Sequence, residues 1–231
     1  MIQYGLSKSR IAAYRQCPKR LWLEVHRPDA ATVSSATQSL FTVGHTVGET
    51  ARQLRPGGVL IDSQGNLRRA MAETSRHISA ETRLLFEPAF EFDGVLVRID
   101  ILERAANGYE LREVKASGSV KDYHVPDVAI QAWVLQNAGL RLDSALIQHI
   151  DTGFVYPGRG DYRRLFTETA VDAEIHPLTE EVPRWVAGAK ETLGGREPER
   201  KTGKHCYQPF VCPCLAYCAA REPSYDFPLT C

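Results

Sequence analysis

Two acidic side chains and a lysine interrupt apolar, strand-forming runs in the middle of the chain. Asp100 stands in an isoleucine-rich run, and Glu113 and Lys115 flank Val114. Residues two apart on a strand project to the same face, so Glu113 and Lys115 point the same way. Two carboxylates can bind Mg²⁺ or Mn²⁺, and the metal activates a water for attack on a phosphodiester while the lysine orients that water or neutralises charge. The pattern therefore predicts a metal-dependent hydrolytic site.

The same residues also fit an ordinary exposed sheet. A Glu-X-Lys tripeptide occurs often by chance, and an Asp at a strand end needs no ligand. The turn signals Asp93-Gly94 and Asn107-Gly108 place Asp100 and Glu113 on neighbouring antiparallel strands. Both carboxylates then belong to one small sheet, although the sequence leaves the pairing register open. Spacing alone does not decide between the catalytic and the structural interpretation.

The six cysteines lie at the two ends of the chain. Cys17 is near the start, and the other five lie between positions 206 and 231. In a cytoplasmic protein, this clustering favours metal or iron–sulfur ligation over disulfides. Structural zinc sites usually pair cysteines with two residues between them, whereas three of the tail cysteines here are separated by five residues and then five again. An iron–sulfur centre is therefore favoured, with zinc as the alternative.

Composition predicts an ordinary globular protein. The chain has 231 residues, of which 43% are hydrophobic and 24% charged, and this length suits one large domain. The 28 basic and 28 acidic side chains cancel, so net charge gives no support to nucleic-acid binding, although basic residues concentrate before Pro28 and over 196–204.

No apolar stretch is long enough for a membrane span and the first residues do not form a signal peptide, so we expect a cytoplasmic protein with no membrane partner.

Hydrophobic periodicity and turn residues predict an α/β chain. Helices are predicted over 7–14, with Ser7 as N-cap, and over 20–24, 40–54, 66–80, 127–138 and 180–193. Strands are predicted over 59–61, over a three-stranded meander at 84–92, 95–102 and 109–115, and over 146–150 and 154–156. We expect a single domain over 1–231 with an N-terminal helical part over 1–80, a core over 81–195 and a cysteine-rich tail over 196–231.

The order of these motifs resembles the PD-(D/E)XK nuclease superfamily. Ile99-Asp100-Ile101, a hairpin and then Glu113-Val114-Lys115 carry the likeness. Three more features are similar to its RecB-like branch, including the CRISPR-associated and AddB-type members with an iron–sulfur cluster. They are the opening motif over 6–18, Gln131 on the helix after Lys115, and a lone N-terminal cysteine with a C-terminal group. Together they cover nearly the whole chain.

The resemblance implies a fold and a set of site residues. The fold would be a restriction-endonuclease-like core, a central mixed sheet flanked by helices, whose N-terminal helical segment and C-terminal tail are joined by a metal cluster. Asp100, Glu113 and the backbone carbonyl of Val114 would bind Mg²⁺ or Mn²⁺. Lys115 would be the catalytic lysine, and Gln131 would contact substrate or orient that lysine. Glu87 is a further candidate carboxylate ligand.

By the same resemblance, four cysteines would hold a [4Fe–4S] cluster. They are Cys17, Cys206, Cys212 and Cys218. Cys214 would be a packing residue or an alternative ligand, and Cys231 would be free. Such a cluster, or a zinc ion in its place, would tie the two chain ends together.

Two positions depart from the family pattern. Many relatives carry a metal-binding histidine in a Gly-X-X-X-His motif, but here that position is Gly48, and His45 is displaced by most of a helical turn and expected to face elsewhere. His45 is nevertheless kept as a candidate ligand. Many relatives also carry a tyrosine four residues after the glutamine, and this chain has Leu135 at that position.

The resulting expectation is a DNA exonuclease that acts on single-stranded ends in repair or CRISPR-type processing, with protein partners in such a complex. The alternatives are a catalytically weakened nucleic-acid-binding module and a zinc-stabilised interaction protein.

Overall fold

A computed structural model describes residues 5–32, 35–62 and 65–222, without the side chains of 35–37. The helices are α1 Lys8–Gln16, α2 Pro18–His26, α3 Ser35–Gln53, α4 Leu67–Ser79, α5 Val125–Asn137, α6 Asp172–Gly194 and α7 Leu215–Ala219. The strands are β1 Leu6–Ser7, β2 Val59–Leu60, β3 Leu84–Phe86, β4 Ala89–Phe92, β5 Val95–Arg98, β6 Ile101–Arg104, β7 Tyr109–Lys115, β8 Leu142–Ile150 and β9 Phe166–Ala170. None of these helices has the length and apolar character that crossing a membrane requires.

A six-stranded mixed sheet forms the centre of the fold, in the order β2-β3-β6-β7-β8-β9. β7 carries Glu113 and Lys115 and lies between β6, which is antiparallel to it, and β8, which is parallel. Helices cover both faces: α5 contacts β8, and α3 contacts β7. The expectation of an α/β fold with a mixed sheet flanked by helices is confirmed at this level.

The prediction of a three-stranded meander is wrong. The run 84–92 is split into β3 and β4, and the run 95–102 into β5 and β6. Glu87 has a left-handed φ of 55° and precedes Pro88, so the first run cannot continue as a regular strand. The hairpin stays paired across the break, because the Ile99 N–H donates to the Pro88 carbonyl at 3.0 Å and the Glu87 N–H to that of Asp100 at 3.3 Å. Asp100 therefore lies at a bend between two sheets.

Beyond the bend, the hairpin enters a second sheet of three strands, ordered β1-β5-β4. Its tip is the predicted Asp93-Gly94 turn, where φ is 49° and 73°, the left-handed pair that a tight two-residue hairpin needs. The second predicted turn, at Asn107-Gly108, is also confirmed, since β6 and β7 pair antiparallel across it.

The segment after β8 differs from the sequence prediction. Residues 154–156 do not form a strand; they lie in a long connection to β9, which the sequence analysis missed. Pro157 and three glycines in this connection disfavour a strand. Helix α6 begins at Asp172, eight residues before the predicted start, and includes Pro177 and Pro183.

Helix α1 is held near both of its ends. The Ser7 side chain caps it by accepting from the Arg10 N–H at 3.3 Å, as predicted. Leu6 pairs in parallel with Val95 of β5, which fixes the start of the helix against the sheet. Near its C-terminal end, Tyr14 packs so closely on α6 that a Cβ at Gly188 would lie 2.0 Å from the tyrosine hydroxyl. These contacts place Lys8, the first helical residue, at the sheet.

The C-terminal tail folds back on the N-terminal helices. The Gln16 amide donates to the carbonyls of His205 at 2.9 Å and Phe210 at 2.8 Å, and the Thr32 N–H donates to that of Pro213 at 2.9 Å. These contacts bring Cys17 and the tail cysteines to one region. Cys231 lies outside the described residues.

Candidate functional site

The register of β6 and β7 brings the two predicted carboxylates together. Ile101 pairs with Arg112, so Asp100, one residue earlier, lies opposite Glu113. The Asp100 Oδ2 accepts from the Val114 N–H at 2.7 Å, which fixes the carboxylate against the end of β7. The sequence left the register of these strands open, and the structure sets Asp100 opposite Glu113.

Glu113 is almost fully enclosed by donors. Its side chain is 3% exposed, and its Oε1 lies 2.5 Å from the Lys8 Nζ and 2.8 Å from the Lys115 Nζ. Its Oε2 accepts from the Gln131 Nε2 at 2.7 Å. The Lys115 Nζ also donates to the Asp127 Oδ2 at 2.8 Å. Two ammonium groups and one amide therefore share one buried carboxylate.

The pKa values of Asp100 and Glu113 are shifted in opposite directions by these neighbours. Burial and the negative charge of Glu113 raise the pKa of Asp100 to about 7, although Lys8 acts against the shift. For Glu113 burial would raise the pKa, but Lys8 and Lys115 outweigh it, so that its pKa falls well below the usual range. Burial lowers the pKa of Lys115, yet Glu113 and Asp127 outweigh it and raise that pKa. The lysines thus compensate Glu113 much better than Asp100.

A cavity of about 290 Å³ opens beside Asp100. It is lined by Phe41, Gly44, His45, Gly48, Arg52, Glu87, Asp100, Ile101 and Val114. The Glu87 carboxylate contacts Arg52 at 3.3 Å and Arg98 at 3.5 Å. Of the predicted metal-binding residues, Asp100, Val114, Glu87 and His45 therefore share this cavity, whereas the Glu113 carboxylate contacts the lysines.

The expectation that His45 would face elsewhere is wrong. His45 borders the cavity, where its side chain is 75% exposed and its Nε2 lies 3.4 Å from the Glu49 carboxylate. Gly48, at the family's histidine position, borders the cavity as well, and a Cβ there would meet only the Arg52 guanidinium, at 3.9 Å. Positions 45 and 48 are three apart on α3, so they share one face of the helix.

Gln131 connects the site to helix α5. It is fully buried, and its Nε2 donates to the Asp127 carbonyl at 3.1 Å as well as to Glu113. Its Oε1 has no hydrogen-bond partner among the described residues. Since a buried acceptor is normally paired, the protein groups alone do not complete this polar set.

The oxygen donors at this site suit a hard divalent cation. Two carboxylates and a backbone carbonyl are ligands that Mg²⁺ and Mn²⁺ accept together with water. The unpaired Gln131 Oε1 and the incompletely compensated Asp100 agree with a further polar or cationic group. In the described part of the chain, no group of three or more His, Cys, Asp or Glu side chains is arranged to hold a metal ion. Glu113 would have to loosen its contact with a lysine to become a ligand.

Two residues at the site were missed by the sequence analysis. Lys8 contacts Glu113 across a separation of 105 residues, and no local spacing indicates that contact. Asp127 could have been found, because it lies four residues before Gln131 and therefore on the same face of α5.

The five described cysteines border one narrow cavity. They are Cys17, Cys206, Cys212, Cys214 and Cys218, all free thiols. Four basic side chains, Lys19, Arg20, Arg200 and Lys201, line the same cavity and suit an anionic metal–thiolate group. Cys214 is fully buried and its thiol hydrogen-bonds to Cys212, which lowers the pKa of Cys212 to about 6. The arrangement does not separate Cys214 from the four predicted ligands.

Helix α1 joins the two regions. Lys8 is its first residue and contacts Glu113, while Cys17 directly follows its last residue and borders the cysteine cavity. At 1.5 Å per residue, the helix separates the two ends by roughly 14 Å.

No protein-family model and no curated protein matches the sequence. Among solved structures, the crystal structure of SSO0001 aligns with 94% of this chain and 87% of its own, at a TM-score of 0.45 and 14% sequence identity. A likeness at that TM-score supports no inference about this chain.

Proposed function

We propose that this protein is a divalent-metal-dependent nuclease that hydrolyses phosphodiester bonds in DNA and acts on single-stranded ends. One observation carries the proposal: Asp100 lies opposite Glu113 at the ends of two paired strands, and Lys115 contacts the same Glu113 carboxylate. A cavity of about 290 Å³ adjoins Asp100, which supports the proposal because a phosphodiester would need access to this edge of the sheet.

Each residue has a distinct role in the proposed reaction. Asp100, Glu113 and the Val114 carbonyl would hold Mg²⁺ or Mn²⁺, which when bound supplies an activated water and a counter-charge for the phosphodiester. Lys115 lies within hydrogen-bonding reach of Glu113 and would orient the attacking water or neutralise charge on the phosphate. Gln131 holds the Glu113 carboxylate, and Asp127 holds the Lys115 ammonium, so both act as positioning residues.

The test is a nuclease assay on end-labelled DNA. With Mn²⁺ we expect shortening of single-stranded DNA, and Lys115→Ala should reduce the rate by at least about 10²-fold. Asp100→Asn serves as a second variant in case the lysine variant folds poorly, and circular dichroism checks the fold of both. Lys190→Ala is the matched control, since Lys190 makes a lysine–carboxylate pair with Asp93 at 2.5 Å outside the site.

If the wild-type protein cleaves neither DNA nor RNA with Mn²⁺, the proposal fails. The second candidate, a nucleic-acid-binding module without cleavage, would then be favoured. The contact of both Lys8 and Lys115 with Glu113, and the glycine at position 48, are the observations that support this candidate.

We further propose that the cysteine cavity holds a [4Fe–4S] cluster on Cys17, Cys206, Cys212 and Cys218. Thiolates in fours are the usual ligands of such clusters, and the basic side chains around the cavity would offset the cluster's charge. Anaerobic purification should give a brown protein with absorbance near 400 nm. A colourless protein with stoichiometric zinc would favour the zinc-stabilised interaction protein instead.

A further inference from the structure

A long connection between β8 and β9 leaves the sheet beside the candidate site. We name residues 151–165 the tyrosine loop. β7 and β8 are parallel, and Lys115 pairs with His149, so the loop starts at the edge where Lys115 lies. The Ile150 N–H donates to the Ser117 carbonyl at 2.9 Å, and the Asp151 N–H donates to that of Leu165 at 2.8 Å, which closes the base of the loop. Adjacent strands are about 4.8 Å apart, so this base borders the strand that carries the site.

The tyrosine loop presents a stacked pair of aromatic rings to solvent. The rings of Tyr156 and Tyr162 have centroids 5.0 Å apart and an interplanar angle of 17°. Their residues are 48% and 38% exposed. The Tyr156 hydroxyl accepts from the Gly160 N–H at 2.7 Å, and its hydrogen bond with Tyr162 raises the pKa of Tyr162. The rings are therefore held in place while part of their surface remains open.

Positive charge accompanies the rings. Arg159, Arg163 and Arg164 are exposed and lie on the same loop. Arg163 pairs with Asp161 at 2.7 Å and, with a smaller effect of Arg164, lowers the pKa of that carboxyl. Neither Arg159 nor Arg164 lies within ion-pair distance of a carboxylate in the described part of the chain. Two guanidinium groups thus remain for an anionic ligand close to a pair of exposed rings.

We propose that the tyrosine loop is a binding platform for single-stranded DNA, with a base stacked on the tyrosine pair and phosphates contacted by Arg159 and Arg164. Aromatic faces bind unpaired bases and cationic side chains follow the backbone, whereas the bases of a duplex are already stacked on one another. The proposal rests on the proposed nuclease function, because it places the bound strand at the edge of the sheet that carries Lys115.

Fluorescence anisotropy with a labelled oligothymidylate tests the platform on the full chain, in EDTA so that no cleavage occurs. Tyr156→Phe and Tyr156→Leu both lack the hydroxyl that accepts from Gly160, but only Phe keeps an aromatic face. We expect Phe to bind nearly as well as wild type, and Leu to bind at least about fivefold more weakly. Arg164→Gln should weaken binding and reduce its salt dependence, whereas Arg141→Gln, at the opposite end of β8 and with a 73% exposed side chain, should not.

Equal affinities of the Phe and Leu variants would overturn the proposal. So would equal binding of duplex DNA with the same dependence on Tyr156, or tighter binding of oligouridylate, which would assign the platform to RNA. Because the binding assay contains no metal, its outcome is independent of catalysis. If the protein binds DNA through Tyr156 but never cleaves it with Mn²⁺, the platform is supported and the nuclease function is refuted. If it cleaves DNA but its binding does not depend on Tyr156, the nuclease function is supported and the platform is refuted.

Discussion

A substitution of Lys8 tests whether its ammonium and a bound metal ion compete for the Glu113 carboxylate. Lys8→Met removes the charge but keeps much of the side chain's bulk. Lys115 and Gln131 still hold Glu113 after the change. Since one charge-assisted hydrogen bond contributes about 1.5–3 kcal/mol and two partners remain, we expect the metal-free protein to lose about 1.5 kcal/mol of unfolding free energy. Its melting temperature should fall by about 3–6 °C.

Metal affinity should change in the opposite direction. A unit charge and a divalent cation about 5 Å apart repel by about 1.7 kcal/mol even at the dielectric constant of water. Removal of the Lys8 charge should therefore tighten Mn²⁺ binding by about 15-fold. Isothermal titration calorimetry on the metal-free protein measures the affinity, and thermal unfolding with and without Mn²⁺ measures the stability.

Lys190→Met is the matched control, because Lys190 lies 2.5 Å from the Asp93 carboxylate on the exposed surface, the same distance as Lys8 from Glu113. It should leave Mn²⁺ affinity unchanged. Unchanged or weaker Mn²⁺ binding by Lys8→Met would refute the idea that Lys8 and the metal compete for one carboxylate.

Two further predictions concern stability. The Arg112 side chain is 9% exposed and contacts Glu103 at 3.2 Å and Glu168 at 3.1 Å. Arg112→Met leaves these carboxylates without this partner and should lower the free energy of unfolding in urea by about 3 kcal/mol. A loss below about 1 kcal/mol would show that the carboxylates are stable without Arg112. His124 accepts from the Lys121 N–H at 3.2 Å, and burial, followed by Lys115, lowers its pKa to about 4, below the unfolded value near 6.5. Protonation is less favourable in the folded than in the unfolded state, so the contribution of neutral His124 to stability is complete above about pH 6.5 and is lost as pH falls towards about 4. His124→Gln keeps an acceptor without titrating, so it should show a smaller loss of stability between pH 7 and 5, and equal losses would contradict the assignment.

Local sequence signals located most of the individual parts of the site. The side-chain period of two predicts Glu113 and Lys115 on one face of the strand, and in the structure the Lys115 ammonium contacts the Glu113 carboxylate at 2.8 Å. The Ser7 cap and the Asp93-Gly94 turn were also predicted, because each depends on hydrogen bonds or backbone angles within a few residues.

Local sequence signals do not predict the structure where distant elements meet. The sequence predicts single strands over 84–92 and 95–102, but both runs bend, at Glu87 and Asp100. Glu87 is left-handed, and the hairpin enters a second sheet beyond the bend. The prediction that His45 faces away from the site is wrong for a similar reason. The orientation of α3 against the sheet depends on packing by residues such as Ala51 and Ile101, which are distant in sequence.

The sequence by itself determined which residue types could do chemistry, which of them share a strand face, and that cysteines stand at both ends of the chain. Tertiary structure alone decided that Asp100 lies opposite Glu113, that Lys8 contacts the same carboxylate, and that the tyrosine loop leaves the sheet beside Lys115. The reason is physical. Propensity, capping and periodicity act over a few residues, whereas strand register and helix docking are set by the burial of whole apolar faces.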